Sequence, residues 1–353
     1  MFLRKKNIKI LILFLFLFFL SLFLFFLFLL NSKTYVPIKT IESDIVLEIN
    51  KGANSEQIFQ ILKKHKILNS RIKYNYLILL KGDSYIPKYG QYLIPKYSSL
   101  NSVLEIINSG ISIKHKITIP EGLTTKKLLE IISADNNLKG HIHQKYKEIE
   151  GELLPETYFF SIGYTRNELL ERMKTELNNT INYEWKKRDS SLPYKNKREA
   201  IIIASLIESE ATLDQERQLI SSVFINRLKK NMRLQSDPTV KYGLEKLNNE
   251  IIKKIKKSHL KIDHPWNTYT RNGLPLTPIC NPGKNSIIAA FNPVKSDYYY
   301  FVADKKGSHF FAKNLKEHNE NIVYSKKNIL SKLNDNNSIF FSDNDLPLSK
   351  PKN

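Results

Sequence analysis

The chain has 353 residues, 42% of them apolar, which is enough for one large or two modest folded domains. Its single cysteine, Cys280, excludes an intramolecular disulfide framework while leaving the redox compartment open. The net charge of +21 fits either a compositional drift towards Lys, Asn and Ile or attraction to an anionic partner, but the sharpest basic cluster, Lys253-Lys254-Ile255-Lys256-Lys257, lacks the interleaved aromatics of a single-strand nucleic-acid groove.

The first thirty residues are the most specific stretch by composition. Residues 1–9 are basic, and from Ile10 to Leu30 every residue is Leu, Ile or Phe except Ser21. As a helix that run is roughly 31 Å long, against a bilayer core of ~30 Å. A cleaved signal peptide has a shorter apolar core and a small-residue cleavage site, and "LLNSKTYVP" offers none. The run therefore predicts an uncleaved, single-pass anchor. Arg4, Lys5, Lys6 and Lys9 place the N-terminus in the cytoplasm and everything after residue 31 outside, which argues against nucleic acid as a partner.

Residues 31–43 read as a short polar tether. A small α+β unit follows over 44–112: a strand in "DIVLEIN", a helix over 54–67 carrying Ile58, Ile61 and Leu62, a strand in "YGQYLIPK", and a helix over 99–110 closed by Gly110. A larger α+β unit spans 113–335. It opens with "KHKITIPEGLTTKKLLEIIS", a strand, a turn at Gly122 and a helix capped by Thr124 or Thr125. A helix follows over 165–188 and another from Arg198 to about Ala211. "DYYYFVAD" and "SHFFAKN", joined by "KKG", predict a hairpin, and 336–353 a frayed polar tail.

The helix from Arg198 poses a chemical question. Ile203, Leu206, Ile207 and Glu210 share one face, while Glu208 lies about 200° round from Glu210. Thr212-Leu213-Asp214-Gln215 fits a capping box, so a second helix is expected to begin at once, leaving Glu210 in the last turn of the first. Burial and the negative end of the helix dipole both disfavour the anion there. A protonated carboxyl in a cleft is a general acid; a solvated or ion-paired glutamate at a helix end is the plainer reading, and periodicity does not choose between them.

The segments that follow do. "SSVFINRLKKNMRLQSDPTVKYGL" (221–244), "NTYTRNGLPLTPICNPG" (267–283) and "AAFNPVKSDYYYFVADKKGSHFFAKNLKEHN" (289–319) resemble the signatures of the endolytic murein transglycosylase, or YceG-like, family, with weaker matches at "IPEG" (119–122) and "EGELLPETYFF" (150–160). The resemblance implies an α+β fold: a transmembrane helix, a small LysM-like subdomain and a larger catalytic domain. It implies that Glu210, the second Glu of the family's A-S-x-x-E-x-E-T motif, is the catalytic acid. This sequence departs from the family at Ala211 (usually Thr), Glu156 (usually Asp), Leu276 (usually Pro) and Cys280 (usually small).

The implied reaction is lytic cleavage of the β-1,4 bond between MurNAc and GlcNAc in peptidoglycan, closing a 1,6-anhydro ring and ending strand elongation. One carboxyl suffices, because no water has to be activated. The implied partners are glycan strands, the inner membrane and cell-wall synthases, with no cofactor. Other residues keep two readings each. Asp237 precedes Pro238 and is a helix N-cap or a substrate contact. Asn226 and Arg227 interrupt an apolar stripe, and Arg227 either snorkels or holds Glu210 or a sugar. Gln235, Tyr242, Asn267 and Tyr269 are sugar contacts or packing residues. Glu208 reads as a structural ion pair, His141 and His143 as a solvated loop without metal spacing, and Cys280 as no nucleophile. Two rival functions stand beside this one: a hydrolase using Asp237 or Glu156 as base, and a non-catalytic wall-binding scaffold.

Overall fold

The structure, a computed structural model, describes residues 2–304 and 307–325, with side chains from Leu11 onward. The polar tail expected over 336–353 and the turn residues 305 and 306 lie outside the described residues. The chain is mixed α and β, with helices and three two-stranded sheets among the described residues. Helix α1 (Phe2–Asn31) opens it. From Leu11 to Asn31 this helix is long and apolar enough to cross a membrane.

The chain divides into two compact units. The first comprises Met1–Ile117, Asn136–Lys139 and Phe159–Thr165. In it β1 (Ile45–Ile49) pairs antiparallel with β2 (Gly90–Ile94), Leu47 facing Tyr92. Helix α2 (Ser55–Lys64) starts in a true capping box: Gln57 N–H donates to Asn54 Oδ1, and Asn54 N–H to Gln57 Oε1, each at 2.9 Å. It ends at Lys64 because Lys66 turns left-handed (φ 57°). Helix α3 (Arg71–Lys81) is absent from the sequence reading. Its apolar residues fall on two faces, Tyr74 and Leu77 inward and Ile72, Leu79 and Leu80 outward, so it shows no single stripe. Helix α4 (Leu100–Ser109) ends at Gly110, whose φ of 73° suits a residue without Cβ. Residues 34–41 are no free tether. Thr34 and Ile41 are buried, and Ile38 N–H donates to the Ser98 carbonyl at 3.0 Å.

The second unit comprises Thr118–Asp135, Gly140–Tyr158 and the described residues from Arg166 onward. The boundary between the units falls within β3 (His115–Thr118) and within β4 (Thr157–Phe160). Helix α5 (Thr125–Ala134) has Thr124 at its cap position, but the capping bond comes from elsewhere: Thr125 N–H donates to Glu150 Oε1 at 2.8 Å. Helix α6 is Arg166–Lys187. Helix α7 (Lys197–Glu210) lies at the centre. Every residue from Ala200 to Ile207 is buried, and α8 (Arg217–Lys229), α9 (Asp237–Asn248) and α10 (Lys284–Phe291) pack on it. Strands β5 (Tyr300–Ala303) and β6 (His309–Ala312) form the expected hairpin.

Two local expectations fail here. The capping box at Thr212 does not form. Asp214–Glu216 make a 3-10 turn instead, and α8 begins at Arg217. The acidic side chains of that turn are drawn elsewhere: Asp214 Oδ1 accepts from Arg217 Nε at 2.7 Å, and Glu216 accepts the His309 backbone N–H at 2.9 Å. Asp237 is not an N-cap either. It is the first residue of α9, with Pro238 behind it, and Ser236 holds the cap position with a hydroxyl that makes no capping bond to its own helix.

Candidate active site

Glu210 is the last residue of α7, where the chain leaves the helix through extended Ala211 (φ −78°, ψ 116°). The residue keeps partial solvent access, while its carboxyl is densely surrounded by protein. The surroundings of the carboxyl govern its proton. Burial raises the Glu210 pKa above the ordinary carboxylate range, and the Asp237 charge raises it further. Three groups oppose this rise: the Ser236 hydroxyl, His309 and Arg227.

Ser236 is the direct partner. Its Oγ donates to Glu210 Oε1 at 2.6 Å, which leaves Oε2 for another partner. The hydroxyl that a cap residue normally gives to its own helix is turned across to α7 instead. Ala211 presents no hydroxyl, so Ser236 supplies the one Glu210 receives. Asp237 Oδ1 accepts from the Tyr269 hydroxyl at 2.6 Å. Burial raises the Tyr269 pKa, with the Asp237 bond and the Glu210 charge acting in the same direction, so that hydroxyl remains a donor. His309, on β6, is locked by Glu216, which accepts from its backbone N–H at 2.9 Å and contacts its Nδ1 at 2.7 Å.

Arg227 and Asn226 brace this cluster through the backbone. Arg227 is buried, and it donates to the carbonyls of Tyr299 (2.6 Å), Leu234 (2.8 Å) and Arg233 (3.2 Å) and to Gln235 Oε1 (3.4 Å). Asn226 donates to the carbonyls of Ser296 (2.8 Å) and Tyr298 (3.0 Å). Together they tie α8 to the chain entering β5 and to the loop before α9. Gln235 takes a left-handed turn (φ 51°), and its N–H donates to the Thr268 carbonyl at 3.2 Å. Asn267 is fully buried. It donates to the carbonyls of Leu260 and Ile262 and accepts from the N–H of Tyr269 (2.7 Å) and Thr270 (3.3 Å), so it shapes the loop that presents Tyr269.

Tyr242 stands apart from the cluster: its hydroxyl donates to Glu150 Oε2 at 3.1 Å and its ring meets Trp266 edge-on. The Glu156 carboxylate accepts its neighbour's N–H at 3.0 Å, and its carbonyl accepts from Ile119 N–H at 3.1 Å. Glu208 is the ion pair expected. Its carboxylate sits 3.3 Å from Arg217 Nη1 and accepts the Gly283 N–H at 2.9 Å. Burial pushes the Cys280 thiol up, away from the thiolate a nucleophile requires. Ser236, His309 and Glu216 are absent from the sequence-derived candidates. Ser236 and His309 lie inside quoted motifs, "LQSDP" and "KKGSHFF", where no rule of spacing sets them apart from packing residues.

Among the described residues no group of three or more His, Cys, Asp or Glu side chains is placed to hold a metal ion. What the site assembles is a carboxyl with raised proton affinity at a helix end, a hydroxyl orienting one of its oxygens, and a neighbouring carboxylate held by a tyrosine. That is the equipment of an acid–base site.

The YceG-like family model matches residues 47–323, and the chain belongs to the YceG-like family. The endolytic murein transglycosylase of Bacillus subtilis (strain 168) is 33% identical over 315 residues, covering 80% of this chain and 85% of that protein. The endolytic murein transglycosylase of Streptococcus pneumoniae (strain ATCC BAA-255 / R6) is 26% identical over 348 residues, covering 86% of this chain and 60% of that protein. Among solved structures, the 2.6 Å crystal structure of the YceG-like protein lmo1499 from Listeria monocytogenes is 29% identical, covers 79% of this chain and 99% of that one, and superposes with a TM-score of 0.47.

Proposed function

We propose that this chain is a membrane-anchored endolytic transglycosylase of peptidoglycan, with Glu210 as its only acid–base group. The names of its relatives support the reaction class, and the environment of Glu210 is the observation that carries the assignment. Glu210 gives its proton to the oxygen between MurNAc and GlcNAc as the C1–O bond breaks. The resulting carboxylate takes the proton of the same MurNAc's C6 hydroxyl as O6 closes on C1. The products are a free GlcNAc hydroxyl and a 1,6-anhydroMurNAc end, and Glu210 is protonated again. Ser236 fixes Oε1 so that the proton rides on Oε2 throughout. Asp237 keeps that proton bound until substrate arrives.

On this reading residues 113–335 form the catalytic domain and 44–112 a LysM-like module that holds glycan. The catalytic domain faces the outer side of the inner membrane, the N-terminus stays cytoplasmic, and cutting nascent strands ends their elongation beside the wall synthases. A hydrolytic muramidase has one observation in its favour, the Asp237 carboxylate close to Glu210. Mass spectrometry of digested glycan separates the two. The lytic reading predicts anhydroMurNAc ends, made about 10²–10⁴-fold more slowly by Glu210→Gln. Reducing MurNAc ends, or undiminished cutting by the variant, would overturn it.

A further inference from the structure

A groove of about 650 Å³ opens beside the Glu210 cluster, lined by Arg233, Lys257, Leu260, Lys261, Tyr269 and Thr270. It shares Tyr269 with the site: the hydroxyl of that residue bonds Asp237, which lies next to Glu210. A ligand in the groove therefore lies against the wall of the proposed acid site.

The lining carries three cations and no carboxylate. Arg233 is held in place, its Nε donating to Asn272 Oδ1 at 3.2 Å and its Nη1 to the Tyr269 carbonyl at 2.9 Å. Lys257 and Lys261 make no ion pair among the described residues. The acidic group closest to them in sequence, Asp263, is already taken by Arg271, with two contacts at 2.9 Å, and by Thr270. A drift in composition accounts for many lysines. It does not account for an arginine fixed at the groove's edge by two hydrogen bonds. Leu260 and the Tyr269 ring supply apolar surface between the cations, suited to a sugar face or a peptide methyl.

On the peptidoglycan reading, on which this inference rests, the glycan backbone is uncharged and the negative groups are the carboxylates of its peptide side chains. We propose that the groove is a subsite for those carboxylates, which Arg233, Lys257 and Lys261 pair with while the adjoining sugar bond reaches Glu210. The subsite sets affinity for strands and plays no part in proton transfer.

The test uses the full-length chain in nanodiscs and two substrates: peptide-bearing strands, and the same strands after carbodiimide amidation of their carboxylates. For the parent, amidation raises KM about five- to tenfold with kcat kept. The exposed double variant Lys257→Glu/Lys261→Glu shows that loss on untreated strands and no further loss on amidated ones. Lys253→Glu/Lys254→Glu, outside the groove, behaves as the parent. Strand binding is measured in parallel on the Glu210→Gln chain, which reads the groove whether or not the parent cuts. Carboxylate-dependent binding without any cleavage would count against the enzymatic reading and leave the subsite standing. Equal KM values for parent and double variant on untreated strands would overturn the subsite. So would a loss that follows the anionic lipid content of the nanodisc instead of the strand's carboxylates, which would assign the lysines to the membrane surface.

Discussion

Glu208 and Glu210 end the same helix two residues apart, and both carboxyls are withdrawn from bulk water. Their partners differ. Glu208 has the Arg217 guanidinium at 3.3 Å, whereas Glu210 has a neutral hydroxyl at 2.6 Å and a like charge nearby. Those neighbours set a sign for each substitution. Asp237→Asn removes a negative charge that raises the Glu210 pKa, so the proton is lost at lower pH, and the alkaline fall of kcat moves to lower pH. Ser236→Ala removes a donor that stabilises the carboxylate, so the same fall moves up, with a lower plateau because Oε1 is no longer oriented. Helix α9 loses no cap bond, so the fall in melting temperature of Ser236→Ala reports the lost buried bond to Glu210, about 1–3 kcal/mol. The pH–kcat profiles of the two variants check the account, and a shift of both in one direction contradicts it. Under the hydrolytic reading Asp237→Asn is inactive at every pH.

The helical stripe ending at Glu210 is legible in sequence, but α7 is buried on all sides, so the stripe alone does not separate Glu210 from Glu208. The discriminating hydrogen bond comes from Ser236 on the loop before α9, 26 positions further along the chain, and no periodicity reports such a pairing. The same holds for Asn226 and Arg227, polar residues in an apolar run whose acceptors on the chain entering β5 lie about seventy residues away. The helices with one clean face, α2 and α4, are readable, whereas α3 with two is not. Within α9, Gly243 looks on propensity like a place where Ala adds about 1 kcal/mol. In the fold a Cβ there runs into the His264 ring, which is itself buried with its Nδ1 accepting from Trp266 N–H at 3.3 Å. Gly243→Ala is therefore expected to cost about 1–3 kcal/mol through forced repacking, read as a lower melting temperature, and a rise would contradict this packing.

At the scale of the whole chain, composition carries furthest at the N-terminus, where the apolar run predicts α1 from residue chemistry alone. Full-length protein should stay with membranes through an alkaline carbonate wash, and a chain beginning at Ser32 should leave them. Recovery of full-length protein in the soluble fraction, or of a clipped N-terminus, would contradict anchoring. All the chemistry proposed for the folded part depends on one proton being retained near neutral pH in the intact chain. Infrared difference spectroscopy of parent minus Glu210→Gln reads that proton directly. The account predicts a protonated-carboxyl C=O stretch in the parent at neutral pH that is missing from the variant, and carboxylate bands alone would contradict it.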